Sequence, residues 1–502
     1  MKKIIINKEP WQTRIATTLH GELQNIYFSA PATQALERAY FKAIITKVLP
    51  GIQTAFVDIG QEKAGFLHIS EIDHELALHK ISETMQIDED APQKPIRPRQ
   101  ALDIKKIFKE GEAVLVQVSK EPIYEKGAKL TTCFTLPGRF IVLMPNIPRI
   151  GVSKKIEARE ERIRLKEIVQ KHLPQGMGAI IRTTSEGRTA EHLTKDIAFL
   201  VNTWRAIQKK FTAAKPTERI HDDLEISLQV VRDNLDDDVE AVIVDDKEAQ
   251  NKIYKFVKHI APEYTHKIVF YESPINIFDH YNINKQIDAA LEKRVNLKSG
   301  GSLIIESTEA MTVVDVNTGR FIGKSNLEDT ILKTNLEAAE EVVRQLRLRN
   351  IGGLIVIDFI DMASQANRHK LFNFFEKTLR EHDKFQSVVL KISEFGLVQM
   401  TRKRSGKTLV QQLTHNCSMC HGSGFIKSLK TECYSLLQAI KTHLKQKQDH
   451  RQIIVQTSPE MLTYITSTEY LAVLQLEKEC SCKIEFEGRQ DLERGHYKIQ
   501  KR

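Results

Sequence analysis

Two runs of β-forming residues, each interrupted by a carboxylate, constrain this chain more than any other feature: MTVVDVNTG at 311–319 and GGLIVIDFIDM at 352–362. Their apolar density predicts strands built for a core. An unpaired carboxylate in a core is costly or shifts its pKa, so something must hold Asp315 and Asp358. Between the runs, Leu332, Leu336, Ala339, Val343 and Leu346 recur on one helical face. Ser325-Asn326-Leu327-Glu328 has the spacing of a capping box that opens this helix. Arg344, Arg347 and Arg349 suit its C-terminal dipole, and Gly352-Gly353 close it. Upstream, residues 300–319 predict a hairpin turning at Ser307-Thr308-Glu309. A strand–helix–strand order favours parallel neighbours, which sets Asp315 and Asp358 side by side at corresponding strand ends.

Alternation along the first strand puts Asp315 and Asn317 on one face. In a regular strand Asp358 and Asp361 point to opposite faces, so Asp358 is the one to join Asp315. Two carboxylates and an amide oxygen form a hard-oxygen set suited to Mg²⁺, an ion that keeps several waters and bridges to phosphate. The competing reading is that DVNTG is a turn capped by Asp315. An EF-hand is excluded, because Gly319 and Arg320 fall at its fifth and sixth positions.

The chain has 502 residues, too many for one core, so roughly three or more domains are expected. Its 74 Lys and Arg outnumber 65 Asp and Glu, a net +9. That balance points to a polyanionic partner, nucleic acid first and an anionic membrane second. No apolar run approaches the ~20 residues that span a bilayer. The start, MKKIIINKEPW, is too short for a secretory signal, so a cytoplasmic location is expected. Six cysteines do not make a disulfide framework and suggest thiol or metal roles.

Residues 1–30 predict two strands, KKIIINK and QNIYFSA, flanking a turn at His20-Gly21. From about 36 to 130, short strands with Gly-bearing turns predict a small barrel, interrupted at 73–106 by an exposed loop containing PQKPIRPRQ. Residues 133–226 mix strands with polar helices. Residues 227–290 alternate strand and helix, beginning with SLQVVRDNL as a strand, and indicate an α/β unit.

In the barrel, Phe56 and Phe66 lie on successive strands, with His68 beyond. Outward aromatics stack unpaired bases, with Lys63 and Lys126 placed to meet phosphates; the competing reading buries both rings in the barrel core. Arg182-Thr183-Thr184 ends a strand shortly before a helix, an arrangement suited to a phosphate seat. Arg402, Lys403, Arg404 and Lys407 form either a strip for an RNA backbone or a solvated linker. Cys417 and Cys420 make half of a zinc knuckle. Cys480 and Cys482 complete it within the chain, or a second subunit supplies the same pair; His415 and His421 are lesser candidates. Cys133 and Cys433 read as buried thiols.

The string FVDIG…GFLHISE resembles the RNA-binding barrel named after ribosomal protein S-one. Together with GRFIVLMPN, GMGAIIRTT, SGGSLIIESTEAMTVVDVNTG, TNLEAAEEVVRQLRLRNIGGLIVIDFIDM, SEFGLVQMTRKR and NCSMCHGSG, it makes residues 1 to about 430 resemble the bacterial ribonuclease E/G family. In length the chain resembles the G branch, since no long disordered tail follows.

The resemblance implies a multidomain α/β and α+β fold. An OB-type RNA-binding barrel (36–132) is inserted in an RNase H-like unit (1–35 and 227–290) that lacks that fold's active site. A 5′-phosphate sensor domain (133–226), a DNase I-like catalytic domain (291–412), a zinc link (413–426) and a small C-terminal domain (427–502) complete it. It further implies an endoribonuclease specific for single-stranded, A/U-rich RNA. Such an enzyme leaves 5′-phosphate and 3′-hydroxyl ends and acts in rRNA and tRNA processing and mRNA decay. Catalytic Mg²⁺ falls on Asp315 and Asp358 beside Asn317, and RNA contacts on Phe56, Phe66 and Lys126. A sensor for a 5′-monophosphate falls on Gly138, Val142, Arg182 and Thr183. One Zn²⁺ on Cys417 and Cys420 would be shared between subunits of a homodimer or homotetramer. Ser418 departs from the family's usual Pro, and residues after 430 match weakly. The alternative reading is a non-catalytic RNA-binding regulator, and a third is an assembly protein organised by its zinc link.

Overall fold

The computed structural model describes residues 1–30, 36–73, 103–122, 127–319, 327–393, 396–404, 406–446 and 452–501. Lys126, the PQKPIRPRQ loop and the capping residues Ser325 and Asn326 lie outside the described residues. The chain divides into two units, 1–410 and 411–502.

Within the first unit, one mixed sheet runs in the order Ile268–Phe270, Val239–Val244, Lys2–Glu9, Gln12–Leu19, Glu22–Ser29. The N-terminal strands and residues 239–270 therefore share a core, with Ile4 and Ile6 packed against Val231, Val242 and Ile253. The turn at His20-Gly21 is present, both residues having positive φ (52° and 83°). Gln12–Leu19 is an additional strand that the sequence reading missed. Its polar and apolar residues do not alternate, because both faces of the sheet are covered: Ile15 packs into one core with Val231 and Val242, Ala16 into another with Ile277 and Phe278, and Thr17 and Thr18 are buried with them.

SLQVVRDNL is also corrected: Ile226–Asn234 is an α-helix. Val230 and Val231 favour strand locally, yet Ser227, Val230, Val231 and Asn234 recur at helical spacing and all are buried. Tertiary burial decides against intrinsic propensity here.

The barrel is closed and OB-like. Tyr40–Leu49 pairs with Thr54–Asp58, then Gly65–His68, Lys129–Thr131 and Ala113–Lys120, which returns to Tyr40–Leu49. Ala43, Ile45, Ala55, Val57, Leu67, Val116 and Leu130 fill its interior. A four-stranded sheet follows, in the order Ile150–Val152, Gly178–Ile181, Ile141–Met144, Leu136–Pro137. Helices Arg159–His172 and Ala190–Ala213 pack Leu165, Val169, Leu193, Leu200 and Trp204 into that sheet's core.

The last sheet of the unit is six-stranded: Arg294–Asn296, Ser302–Ser307, Met311–Asn317, Gly353–Asp358, Leu397–Arg402, Ser387–Val389. The hairpin turns where expected, with Thr308 N–H donating to Met311 O at 2.8 Å. Helices Leu327–Leu348 and Gln365–His382 supply Ala339, Val343, Leu346, Leu371 and Phe375 to a core with Val314, Val316, Ile355 and Ile357.

The second unit pairs Gln452–Thr457 with Lys483–Gly488 in parallel and with Tyr497–Lys501 antiparallel. Helices Leu429–Gln446, Pro459–Ser467 and Tyr470–Cys480 join them around Leu436, Ile440, Ile453, Val455 and Met461. Among the described residues, no helix is long and apolar enough to cross a membrane.

Candidate active site

The strands Met311–Asn317 and Gly353–Asp358 are parallel neighbours, and Asp315 lies in register with Asp358. The helix Leu327–Leu348 makes this possible, since parallel strands need a crossover connection. Neither carboxylate is buried, contrary to the expectation of a core position. Thr312, Val314 and Val316 turn inward under the helices, as do Ile355 and Ile357; Asp315, Asn317 and Asp358 stand on the opposite, open face. The apolar density of both runs comes from one covered face plus an open face that also carries Val313, Leu354 and Val356.

Asn317 Nδ2 donates to Asp315 Oδ2 at 2.7 Å, which orients that carboxylate and leaves the amide oxygen as an acceptor. Asp358 has its pKa raised, by partial desolvation first and then by the charges of Asp315 and Asp361. The strand ends at Asp358, so Asp361 is not carried to the opposite face as a regular strand predicts. Its Oδ1 lies 3.0 Å from the point a Cβ on Gly396 would occupy, so only a glycine with φ of 77° lets that loop approach. Among the described residues, no three His, Cys, Asp or Glu side chains gather into a metal cage. The donor set fits Mg²⁺ all the same. Two like-charged carboxylates and one amide oxygen leave coordination positions for water and a phosphate oxygen, as that ion prefers.

On the barrel, Phe56 pairs directly with Phe66 across antiparallel strands. Phe56 is 37% exposed and Phe66 half-buried, while their neighbours Ala55, Val57 and Leu67 point inward. The rings are therefore on the outer wall, and the core reading fails. His68 Nδ1 is engaged by Ser70, where it caps a short 3₁₀ turn.

Arg182 and Gly138 come together: Arg182 Nη1 donates to Gly138 O at 2.6 Å and to Asp233 Oδ1 at 2.7 Å. Thr183 is exposed at the start of a 3₁₀ turn, and Val142 pairs with Ile180 on the adjoining strands. Gly138 has no room for a side chain, since a Cβ would lie 2.5 Å from Asp196 Oδ2. Asp196 accepts from the N–H groups of Arg139, Phe140 and Ile141. Burial raises its pKa, against the pull of those bonds.

The sequence reading missed Asp196, Arg232, Asp233 and Lys384 in this neighbourhood. Arg232 donates from Nε and Nη2 to Asp233 at 3.0 and 3.3 Å, and from Nη1 to Pro137 O. Burial pushes the Asp233 pKa up, but the Arg232 hydrogen bond and the Arg182 and Arg232 charges outweigh it, giving about 2. The Lys384 ammonium donates to Asn234 Oδ1 at 2.9 Å. Loss of solvent lowers its pKa to about 8 despite nearby Asp233. The only sequence signal was the adjacent Arg-Asp pair in SLQVVRDNL, hidden by the strand assignment.

The basic strip loses a member. Arg402 is sealed beneath the sheet, paired with Asp383 through Nε at 2.7 Å and Nη2 at 3.0 Å. Strand alternation turns it inward while Thr401 and Lys403 face out.

Cys417 and Cys420 sit in a loop of turns, Cys417 exposed and Cys420 half-buried. Backbone N–H groups of Gly424 and Gly422 lower the Cys420 pKa, and the Cys417 thiol adds to the effect. Two sulfurs three positions apart, one of them biased toward thiolate, fit Zn²⁺ as half of a tetrahedral set. Cys482 and Cys433 are instead buried in the second unit's apolar core, with Cys480 packed against it, and no four-cysteine group forms among the described residues. Cys133 is half-buried.

Residues 135–405 match the model of the ribonuclease E/G family, and residues 416–502 match its RNase E/G, thioredoxin-like domain. The chain is 38% identical over 475 residues to Ribonuclease G of Salmonella typhimurium, covering 95% of this chain and 94% of that one. It is 38% identical over 469 residues to Ribonuclease G of Haemophilus influenzae, covering 93% and 92%. Ribonuclease E of Haemophilus influenzae is 32% identical over 505 residues, 99% of this chain and 52% of that protein. Matched by both models and alike over nearly the whole length of the Ribonuclease G chains, this chain belongs to the ribonuclease E/G family.

Proposed function

We propose that this endoribonuclease cleaves single-stranded, A/U-rich RNA at Asp315 and Asp358 with Mg²⁺, leaving 5′-phosphate and 3′-hydroxyl ends. The observation that carries the reading is the register of the two aspartates on an open sheet face. Asp315 and Asp358 would hold the ion, with the Asn317 amide oxygen beside them. When bound, Mg²⁺ would activate a water and stabilise the negative charge that builds on the phosphate oxygens. The water oxygen bonds to phosphorus as the P–O3′ bond breaks, and the departing oxygen is protonated to the 3′-hydroxyl. Asn317 fixes the Asp315 carboxylate throughout.

Phe56 and Phe66 stack bases, which selects unpaired strands because paired bases hide their faces. Lys126 joins them at phosphate. Arg182, with Thr183, Gly138 and Val142, receives a 5′-monophosphate and raises the cleavage rate. Cys417 and Cys420 share Zn²⁺ with the same pair of a second subunit, giving a homodimer or homotetramer. The family points to rRNA and tRNA processing and mRNA decay in the cytoplasm.

The test is cleavage of an A/U-rich single strand with Mg²⁺ by wild type and Asp315→Asn. Internal cuts by wild type, with binding but no cutting by the variant, are expected. If wild type binds without cutting, the chain is an RNA-binding regulator. If the variant cuts at the wild-type rate, the chemistry lies elsewhere.

A further inference from the structure

We infer that Asp233 is a positioning residue for the 5′-phosphate seat, holding the Arg182 guanidinium by one nitrogen so that its other edge is presented to the RNA end. The inference rests on the 5′-phosphate reading of Arg182.

Arg182 uses Nη1 alone for its two partners, the Gly138 carbonyl and the Asp233 carboxylate. Among the described residues Nε and Nη2 have no partner, and neither is a sealed orphan. The Nε–Nη2 edge is the fork that takes an oxyanion side-on. Asp233 is itself clamped, because Arg232, 4% exposed, grips both of its oxygens and the Pro137 carbonyl. Two successive carbonyls, Pro137 and Gly138, are thus each held by an arginine, and one carboxylate ties the arginines together. Asp196 pins the next three N–H groups, so the frame under Arg182 is rigid.

The placement also runs against local preference. Asp233 occupies the last turn of the helix Ile226–Asn234, where the dipole disfavours an anion. The Arg182 and Arg232 contacts compensate it. A guanidinium held in advance loses less freedom when phosphate arrives, so Asp233 acts on recognition rather than on the chemical step.

The experiment measures kcat and KM for the full chain on one A/U-rich RNA bearing either a 5′-monophosphate or a 5′-hydroxyl. Wild type, Asp233→Ala and Asp233→Asn are compared. The ratio of kcat/KM, monophosphate over hydroxyl, is expected to fall about three- to tenfold in Asp233→Ala, chiefly through KM, the cost of ordering one long side chain. Asp233→Asn keeps an oxygen but not the charge and should fall less; it carries the test if the alanine variant does not fold. A purely structural role lowers both substrates alike and leaves the ratio fixed, which overturns the inference. A ratio that rises in the variants also overturns it, making Asp233 a competitor of phosphate. A wild-type ratio of one removes the phosphate seat itself, and the inference with it.

Discussion

Asp315 and Asp358 face one another in register across two parallel strands, each on the open side of the sheet. Their mutual repulsion already raises the Asp358 pKa, behind the effect of partial desolvation. Asp315→Asn or Asp358→Asn should therefore cost cleavage and not folding. We expect a loss of about 100-fold or more in kcat, the scale of a lost metal-ion contribution. Single-turnover cleavage, run beside RNA binding and a thermal melt, checks it; a variant that melts early would point to a structural role.

Phe56 and Phe66 form an outward aromatic pair. Phe56→Ala removes little core, so the melting temperature should hold, while RNA affinity drops by ~1–3 kcal/mol for a lost base stack. Fluorescence anisotropy with a short single strand reads this directly. Equal affinity in Phe56→Ala and wild type would return the ring to a structural role.

Arg402 and Asp383 form an ion pair with side chains only 1% and 2% exposed. Arg402 Nη1 also donates to Ile351 O at 2.6 Å. Arg402→Leu strands a buried carboxylate and should cost roughly 3–5 kcal/mol in urea unfolding. Replacing both partners by apolar residues should recover part of that loss. If Arg402→Leu unfolds like wild type, the pair is not buried in solution.

The Asp233 carboxylate has a folded-state pKa of about 2 against its ordinary 3.8. A depressed acid pKa stabilises the fold above the ordinary value, and the contribution disappears as pH falls through the folded value. Relative to Asp233→Asn, wild type should carry roughly 2 kcal/mol above pH ~5 that shrinks between pH ~4 and ~2. Paired denaturation curves across this range would show it; a difference independent of pH would assign the effect to shape rather than charge.

In the proposed zinc link, Cys417 and Cys420 would supply two ligands of a tetrahedral site. We expect about one zinc per two chains, and Cys417→Ser should lower both the zinc content and the oligomer mass. Metal analysis with light scattering separates this from an internal site, which would bind about one zinc per chain.

The carboxylate-bearing strands, the helix between them and the barrel were legible in the sequence because their signals are local. Alternation along a strand and recurrence along a helix follow from backbone geometry within a dozen residues. Arg182 and the Cys417–Cys420 pair stood out by residue type and spacing, whereas Gly138 entered only through the resemblance. The strand Gln12–Leu19 and the helix Ile226–Asn234 were not, since in both the burial comes from neighbours distant in the chain. Nor could the sequence say that Asp315 and Asp358 stand open to solvent, that Arg402 is sealed against Asp383, or that Asp233 reaches Arg182 across 51 positions. A side chain's type is fixed where it is written. Its exposure and its ionic partner are fixed only when separate segments pack, because burial and Coulomb energy depend on distance in space. Residue type and spacing marked the candidates for chemistry; packing between distant segments set which of them meet.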